Sequence, residues 1–223
     1  GDVISILNKV VAFVARQEKF LFSEISFSVI KMIFFYLFII LGFQLFLKFN
    51  TKRCFLFLGS ILAFQCVFII EKYTIAQKSE LIVFHKSKNT IIGKRKGSSF
   101  EVYHSMDSLQ ISSQKLLINY KVGENISSQN YLKLSNLMYY KKQVVLIIDK
   151  DGLYDIKELN SPIVVLRQSP KINLQRLAEK LKPAIIIADG SNYKSYIENW
   201  KTTCKNFKIP FWTTYNQGAY ILN

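Results

Sequence analysis

The chain places its hydrophobic residues in two different ways. Up to Ile70 they form nearly unbroken runs, and from Glu71 onward they come in short bursts separated by polar turns. Val29–Leu47, VIKMIFFYLFIILGFQLFL, is interrupted only by Lys31 and Gln44, and Cys54–Ile70, CFLFLGSILAFQCVFII, has Gln65 as its one strongly polar member. Each run approaches the roughly 20 residues that cross a bilayer core as a helix, and neither has the polar face of a helix in a soluble core. Two transmembrane helices are therefore predicted within residues 25–72, with Lys31 close enough to an end to reach the interface. In the preceding residues 1–24, Val3, Leu7, Val10, Val11 and Val14 recur at near-helical spacing, and Asn8, Lys9, Arg16 and Gln17 hold the other side. That pattern predicts an amphipathic interfacial helix, or the end of a preceding membrane segment.

Residues 78–223 read as a mixed α/β domain. LIVFH, TIIGKRKG and SFEVY are strand-like, with Gly93 and Gly97 as turn residues, and KLLINYKV continues the series. LMYYKKQVVLIIDKDG predicts a hairpin turning at Lys141–Gln143, with a strand through Val144–Ile148. From Pro162 the rhythm becomes strand (PIVVLRQS), helix (NLQRLAEKL, capped by Asn173), strand (KPAIIIADG), helix (SNYKSYIENWKTTCKNFK) and two short strands (IPFWTT, GAYIL). Alternating strands and helices imply parallel pairing through crossovers, so one mixed sheet is expected, antiparallel first and parallel later.

Charge orients the two halves. The chain carries a net +15, and from Glu71 onward 23 Lys/Arg face 12 Asp/Glu, or +11. A balance of that size suits a polyanion, either nucleic acid or anionic lipid. The loop KFNTKRC joins the two runs and carries Lys48, Lys52 and Arg53, which places it in the cytoplasm by the positive-inside rule. Both outer ends, and so residues 78–223, are then expected outside the cytoplasm. Cys54, Cys66 and Cys204 lack metal-ligand spacing and read as small hydrophobes. The start at Gly1 predicts that a longer protein precedes this segment.

Several clusters are candidates for chemistry. Asp189, Gly190, Ser191 and Asn192 end an apolar strand and begin a helical stretch. There, backbone N–H groups could meet a phosphate, or the residues could serve only as a turn and helix cap. The cap satisfies them without a ligand, and a nucleophilic Ser191 would need a base that nothing nearby in the sequence supplies. Asp149 and Asp151 could pair on a metal, although Asp-x-Asp-Gly is also ordinary turn chemistry. Lys86, Lys88, Lys94, Arg95 and Lys96 cluster around HKSKNTIIGKRKG, with Phe84 and Tyr103 nearby; such a basic, aromatic stretch suits single-stranded DNA without sequence preference.

The order of these elements resembles the C-terminal end of the ComEC family of DNA-uptake channel proteins. The match is carried by VVLRQSP, LKPAIIIADGSN and TTYNQGAYIL, and it looks like the short form found in Bacteroidetes-type members. The resemblance implies a degenerate metallo-β-lactamase-like domain after two helices of a multi-pass inner-membrane channel. It implies single-stranded DNA, membrane lipid, an N-terminal part of the same protein and competence-machinery proteins as partners, with the C-terminal domain in the periplasm. The family's metal-binding histidines have no counterparts. The His-His-Gly-Ser position reads Arg167-Gln168-Ser169-Pro170, only His85 and His104 are present, and a hydrolytic metal needs converging imidazoles and carboxylates. No cofactor, metal or catalytic residue is therefore expected. Arg167 and Lys171 join the DNA-contact candidates at the edge of the former site. The alternatives are a metal-dependent nuclease or hydrolase with unconventional ligands, or a membrane-anchored structural domain that binds an envelope partner.

Overall fold

The computed structural model describes residues 2–15, 27–154, 159 and 161–223; Gly1, Arg16 and Gln17, named above, lie outside them. The chain divides into two compact units, one comprising Gly1–Phe68 with Ile118–Glu124 and the other Ile69–Leu117 with Asn125–Asn223.

The first unit contains α1 (Asp2–Ala15), α2 (Val29–Leu47) and the greater part of α3 (Thr51–Gln77). Ser28 caps α2 through its Oγ, which accepts from the Lys31 amide at 3.3 Å. The Arg53 guanidinium donates to the Gln44 and Lys48 carbonyls at 3.0 and 3.3 Å and so satisfies the C-terminal end of α2. α2 and α3 meet along an aromatic seam, with Phe38 stacked on Phe57 at 5.1 Å and Phe35 at 6.1 Å from Phe64. Gly42 belongs to that seam, because a Cβ there would lie 3.1 Å from the Phe57 ring. Away from the seam the apolar side chains are bare, Phe46 at 87 % exposure among them. Both helices are long and apolar enough to cross a membrane. Lys31 departs from expectation: it is buried, with Nζ 4.8 Å from the Phe68 ring centroid, so its charge rests on an aromatic face.

The second unit stacks two five-stranded sheets. One has the order β10-β1-β2-β3-β4, built from Tyr220–Leu222, Ser79–Val83, Ile91–Lys96, Ser99–His104 and Ser128–Lys133. The other runs β5-β6-β7-β8-β9, from Leu137–Tyr140, Gln143–Ile148, Ile163–Leu166, Ile185–Ala188 and Phe211–Thr213. Period-two alternation assigns the core. Leu146, Ile148, Val164, Leu166, Ile186 and Ala188 pack against helices α6 (Leu174–Leu181) and α7 (Lys194–Asn206). The intervening Val145, Ile147, Ile163, Val165 and Ile187 meet Leu81, Val83 and Ile92 of the first sheet. Central strands covered on both faces need no polar positions, which is why IVVL and IIIA read as plain apolar runs.

The mixed α/β architecture is as expected, with two differences. The strands form two sheets rather than one. KLLINYKV is a helix, α5 (Lys115–Gly123), which with α4 (Ser108–Ile111) connects β3 to β4; those strands are parallel, so the chain must cross over between them. The two short strands expected at the end of the chain join different sheets: β9 extends the second sheet parallel to β8, the short α8 (Thr214–Gln217) follows, and β10 pairs antiparallel with β1.

Candidate functional site

The parallel strands of the second sheet end in register, and their ends carry its polar residues. The last paired residues are Ile148 with Leu166, Leu166 with Ala188, and Ala188 with Thr213. One residue further along each strand stand Asp149, Arg167, Asp189 and Thr214. Ile148, Leu166 and Ala188 face the helices, so this next row falls on the face turned to the first sheet. Contacts across the two sheets bear this out. Thr90, just before β2, donates its hydroxyl to Asp189 Oδ2 at 2.5 Å, and His85 Nδ1, just after β1, lies 3.1 Å from Thr214 Oγ1.

Asp189 is fully buried and surrounded by neutral donors. Besides Thr90, its Oδ1 accepts from the Ser191 hydroxyl at 2.5 Å, the Ser191 amide at 2.9 Å and Asn192 Nδ2 at 3.1 Å. Burial raises its pKa above the usual carboxylate value; the hydrogen bonds from Ser191 and Thr90, and the charge of Arg167, act in the opposite direction. The neighbouring turn is tied to the same residues. Gln168 N donates to Ser191 Oγ at 2.8 Å, Ser169 N donates to Asn192 Oδ1 at 2.7 Å, and Asn192 Nδ2 donates to the Leu166 carbonyl at 2.6 Å. Gln168 and Ser169 both take left-handed φ values, 57° and 52°, a costly conformation for such residues that this lacing maintains.

The turn is thus a junction between strands, and the expected helix cap is corrected. α7 starts at Lys194, after Tyr193, and Tyr193 N is bound by Ser169 Oγ at 2.8 Å, so neither Asp189 nor Ser191 caps it. Gly190 is required for close approach: a Cβ there would lie 2.6 Å from the Lys86 carbonyl and 2.9 Å from His85 Nδ1. Asn173, by contrast, caps α6 as predicted, accepting from Arg176 N at 3.0 Å.

Arg167 is buried, at 9 % exposure, and its Nε has no hydrogen-bond partner. Asp189 affects it through charge, but the Asp189 oxygens are occupied by Thr90, Ser191 and Asn192. Among the described residues no three His, Cys, Asp or Glu side chains could together hold a metal ion. In the row the Arg167 strand lies between those of Asp149 and Asp189, and the Asp189 oxygens accept from Thr90, Ser191 and Asn192.

The basic residues that the sequence groups together are separated in space. Lys88 N donates to the Gly190 carbonyl at 3.1 Å, which places exposed Lys88 and half-buried Lys86 beside the Asp189 turn. Lys94, Arg95 and Lys96 lie in β2 itself, not in a loop, toward its other end and roughly 13–20 Å from Thr90 at the usual strand rise. Arg95 is corrected as a DNA-contact candidate. It is fully buried, with Nη1 2.9 Å from Glu80 Oε1 and Nε donating to the Gly97 carbonyl at 2.8 Å. Lys94 is half-buried, and Lys96 and Lys171 are exposed. His104 makes other contacts: its Nδ1 lies 3.0 Å from the Met106 carbonyl, and with Tyr131 and Lys133 it lines an open groove of about 380 Å³. Sequence reasoning missed Thr90 and Thr214, because their roles depend on strand ends that only pairing brings together.

The family model of the ComEC C-terminal domain matches residues 81–223, which include every member of this row. No curated protein and no solved structure matches the chain.

Proposed function

The chain belongs to the ComEC C-terminal domain family, a family of competence and DNA uptake, and on that premise we propose that it is the C-terminal part of an inner-membrane channel for single-stranded DNA. In this reading α2 and α3 are two helices of a larger bundle, bounded by lipid and by the N-terminal part of the same protein. The basic turn at Lys48, Lys52 and Arg53 favours a cytoplasmic position, which leaves the two-sheet unit in the periplasm. Other competence proteins would deliver or receive the strand.

The two-sheet unit acts without hydrolysis in this reading. The observation that supports it is the polar row, in which Arg167 stands where the resemblance puts the family's histidine pair and Asp189 is committed to Thr90, Ser191 and Asn192. What the surface retains is positive charge. Lys86 and Lys88 border the row, Lys171 follows Arg167 by four residues, and all three suit the sequence-blind attraction of phosphates that passage of any DNA requires.

The test is a titration of fluorescent single-stranded DNA against the whole chain in detergent micelles, at several salt concentrations and with a sulfated polysaccharide as competitor. Binding that resists the competitor and weakens steeply with salt, without strand cleavage when Mn²⁺ or Zn²⁺ is added, is the expected result. Cleavage abolished by chelator would establish a metal-dependent nuclease instead. Binding erased equally by any polyanion would reduce the unit to a structural, envelope-binding domain.

A further inference from the structure

We propose that Arg167 anchors a phosphate-binding site at the carboxyl ends of β6–β9. The ligand chemistry is a phosphate oxyanion, carried at the end of a DNA strand or within it. Only the source of that phosphate rests on the DNA-uptake reading; the site itself rests on the geometry.

A charge that is nine-tenths buried is costly unless something pairs with it, and Arg167 Nε has no acceptor. Its neighbours do not supply one. The Asp189 oxygens accept from Thr90, Ser191 and Asn192, and on the other flanking strand Asp149 Oδ1 accepts from the Asp151 amide at 3.1 Å. The backbone around the guanidinium is nonetheless held firmly. Arg167 N donates to the Ile148 carbonyl at 2.9 Å, and the two left-handed residues after it are tied to Ser191 and Asn192. A fixed base under an unsatisfied planar donor is the preorganisation that an oxyanion site needs, and the fork of an arginine matches phosphate better than the point charge of a lysine.

The surroundings suit a nucleotide. Thr214 is two strands away, roughly 10 Å at the usual strand spacing. The next residue, Tyr215, is 51 % exposed, with Lys194 Nζ 4.5 Å from its ring centroid and His85 edge-on at 6.0 Å. A nucleotide whose phosphate sits on Arg167 can lay its base toward that ring, a contact indifferent to base identity.

The experiment uses the full chain in detergent micelles and reads its Tm with inorganic phosphate against chloride at equal ionic strength. Phosphate is expected to raise the wild-type Tm by about 2–4 °C. Arg167→Met, which removes a buried guanidinium whose Nε has no acceptor, is expected to match or exceed the wild-type Tm without phosphate and to lose the shift. Arg167→Lys should retain the fold and bind phosphate at least tenfold more weakly; it decides the matter if the methionine variant does not fold. No phosphate shift in the wild type, or an equal shift in both variants, overturns the site. The source is read with short oligothymidylates: at least tenfold tighter binding of the 5′-phosphorylated form assigns a terminal phosphate, and equal binding of both forms, weakened together in Arg167→Met, assigns an internal one. Oligonucleotide binding unaffected by either variant, with no phosphate shift, removes the site and leaves the DNA reading standing. An Arg167-dependent phosphate shift without oligonucleotide binding keeps the site and removes the DNA reading.

Discussion

Two buried arginines mark opposite ends of the sheet sandwich, and they are treated differently. Arg95, toward the far end of β2, is fully enclosed and satisfied by Glu80, directly opposite it on β1, and by the Gly97 carbonyl. Arg167, at the ends of the parallel strands, is almost as enclosed, yet its Nε is unpartnered. The first arrangement is what stability requires of a buried charge. The second makes sense where the missing partner comes from outside. Burial therefore does not by itself separate a structural cation from a functional one, whereas the hydrogen-bond account of each group does.

The largest expected effect probes the satisfied end. Arg95→Met leaves Glu80 facing an apolar neighbour and should cost about 3 kcal/mol of unfolding free energy, measured by chemical denaturation. Adding Glu80→Leu should recover most of that loss. If Arg95→Met were as harmless as Arg167→Met is expected to be, the contrast between the two ends would collapse.

A somewhat smaller effect is expected at the functional end. Gly190→Ala forces a Cβ against the Lys86 carbonyl and should cost about 2 kcal/mol, an ordinary penalty for overpacking. Hydrogen exchange at the Lys88 amide, which is bound to the Gly190 carbonyl, should quicken in this variant while the amides of β7 stay protected. Uniform loss of protection would show that the turn supports the whole sandwich and not the site alone.

Asp189 gives a pH-dependent comparison. Its pKa is raised by burial, so the folded state holds its proton more tightly than the unfolded chain does. That contribution to stability is fully present below the ordinary carboxylate value and is lost as pH rises through the raised one. The stability deficit of Asp189→Asn relative to wild type should therefore be greatest at the acid end and shrink as pH rises. A deficit that grew with pH would mean that the native carboxylate is ionised and held by its donors.

A second pH-dependent effect lies behind the second sheet. Burial pushes the Cys204 thiol up to about 11, so the unfolded chain ionises first as pH rises. Stability should then decline gently from the ordinary thiol value, roughly 8.5, and level off past the raised one. Cys204→Val should lack this slope, and an unchanged slope would assign it to other groups.

Local patterns were read well from the chain. VIKMIFFYLFIILGFQLFL and CFLFLGSILAFQCVFII become α2 and most of α3, Asn173 caps α6, and the Lys141–Gln143 turn joins β5 to β6. Each depends on residues within a few positions of one another. KLLINYKV was misread because a short apolar burst fits either period, and only the parallel pairing of β3 with β4 requires a crossover there. β4 itself, SQNYLK, gives little signal because it is a mostly exposed edge strand. The GKRKG cluster looked like one basic patch until strand alternation turned Arg95 inward and left Lys96 outside.

The sequence by itself determined the division between an apolar helical part and a basic α/β part, and it set Arg167 directly after the apolar run of a buried strand. Composition and short-range spacing contain all of that. The tertiary structure decided that Asp149, Arg167, Asp189 and Thr214 form one row, that Thr90 and His85 reach it from the other sheet, and that Arg167 Nε is left without an acceptor. Those relations join residues up to 129 positions apart. They follow from strand register and sheet stacking, in which each strand end is positioned by its neighbours and not by its own sequence.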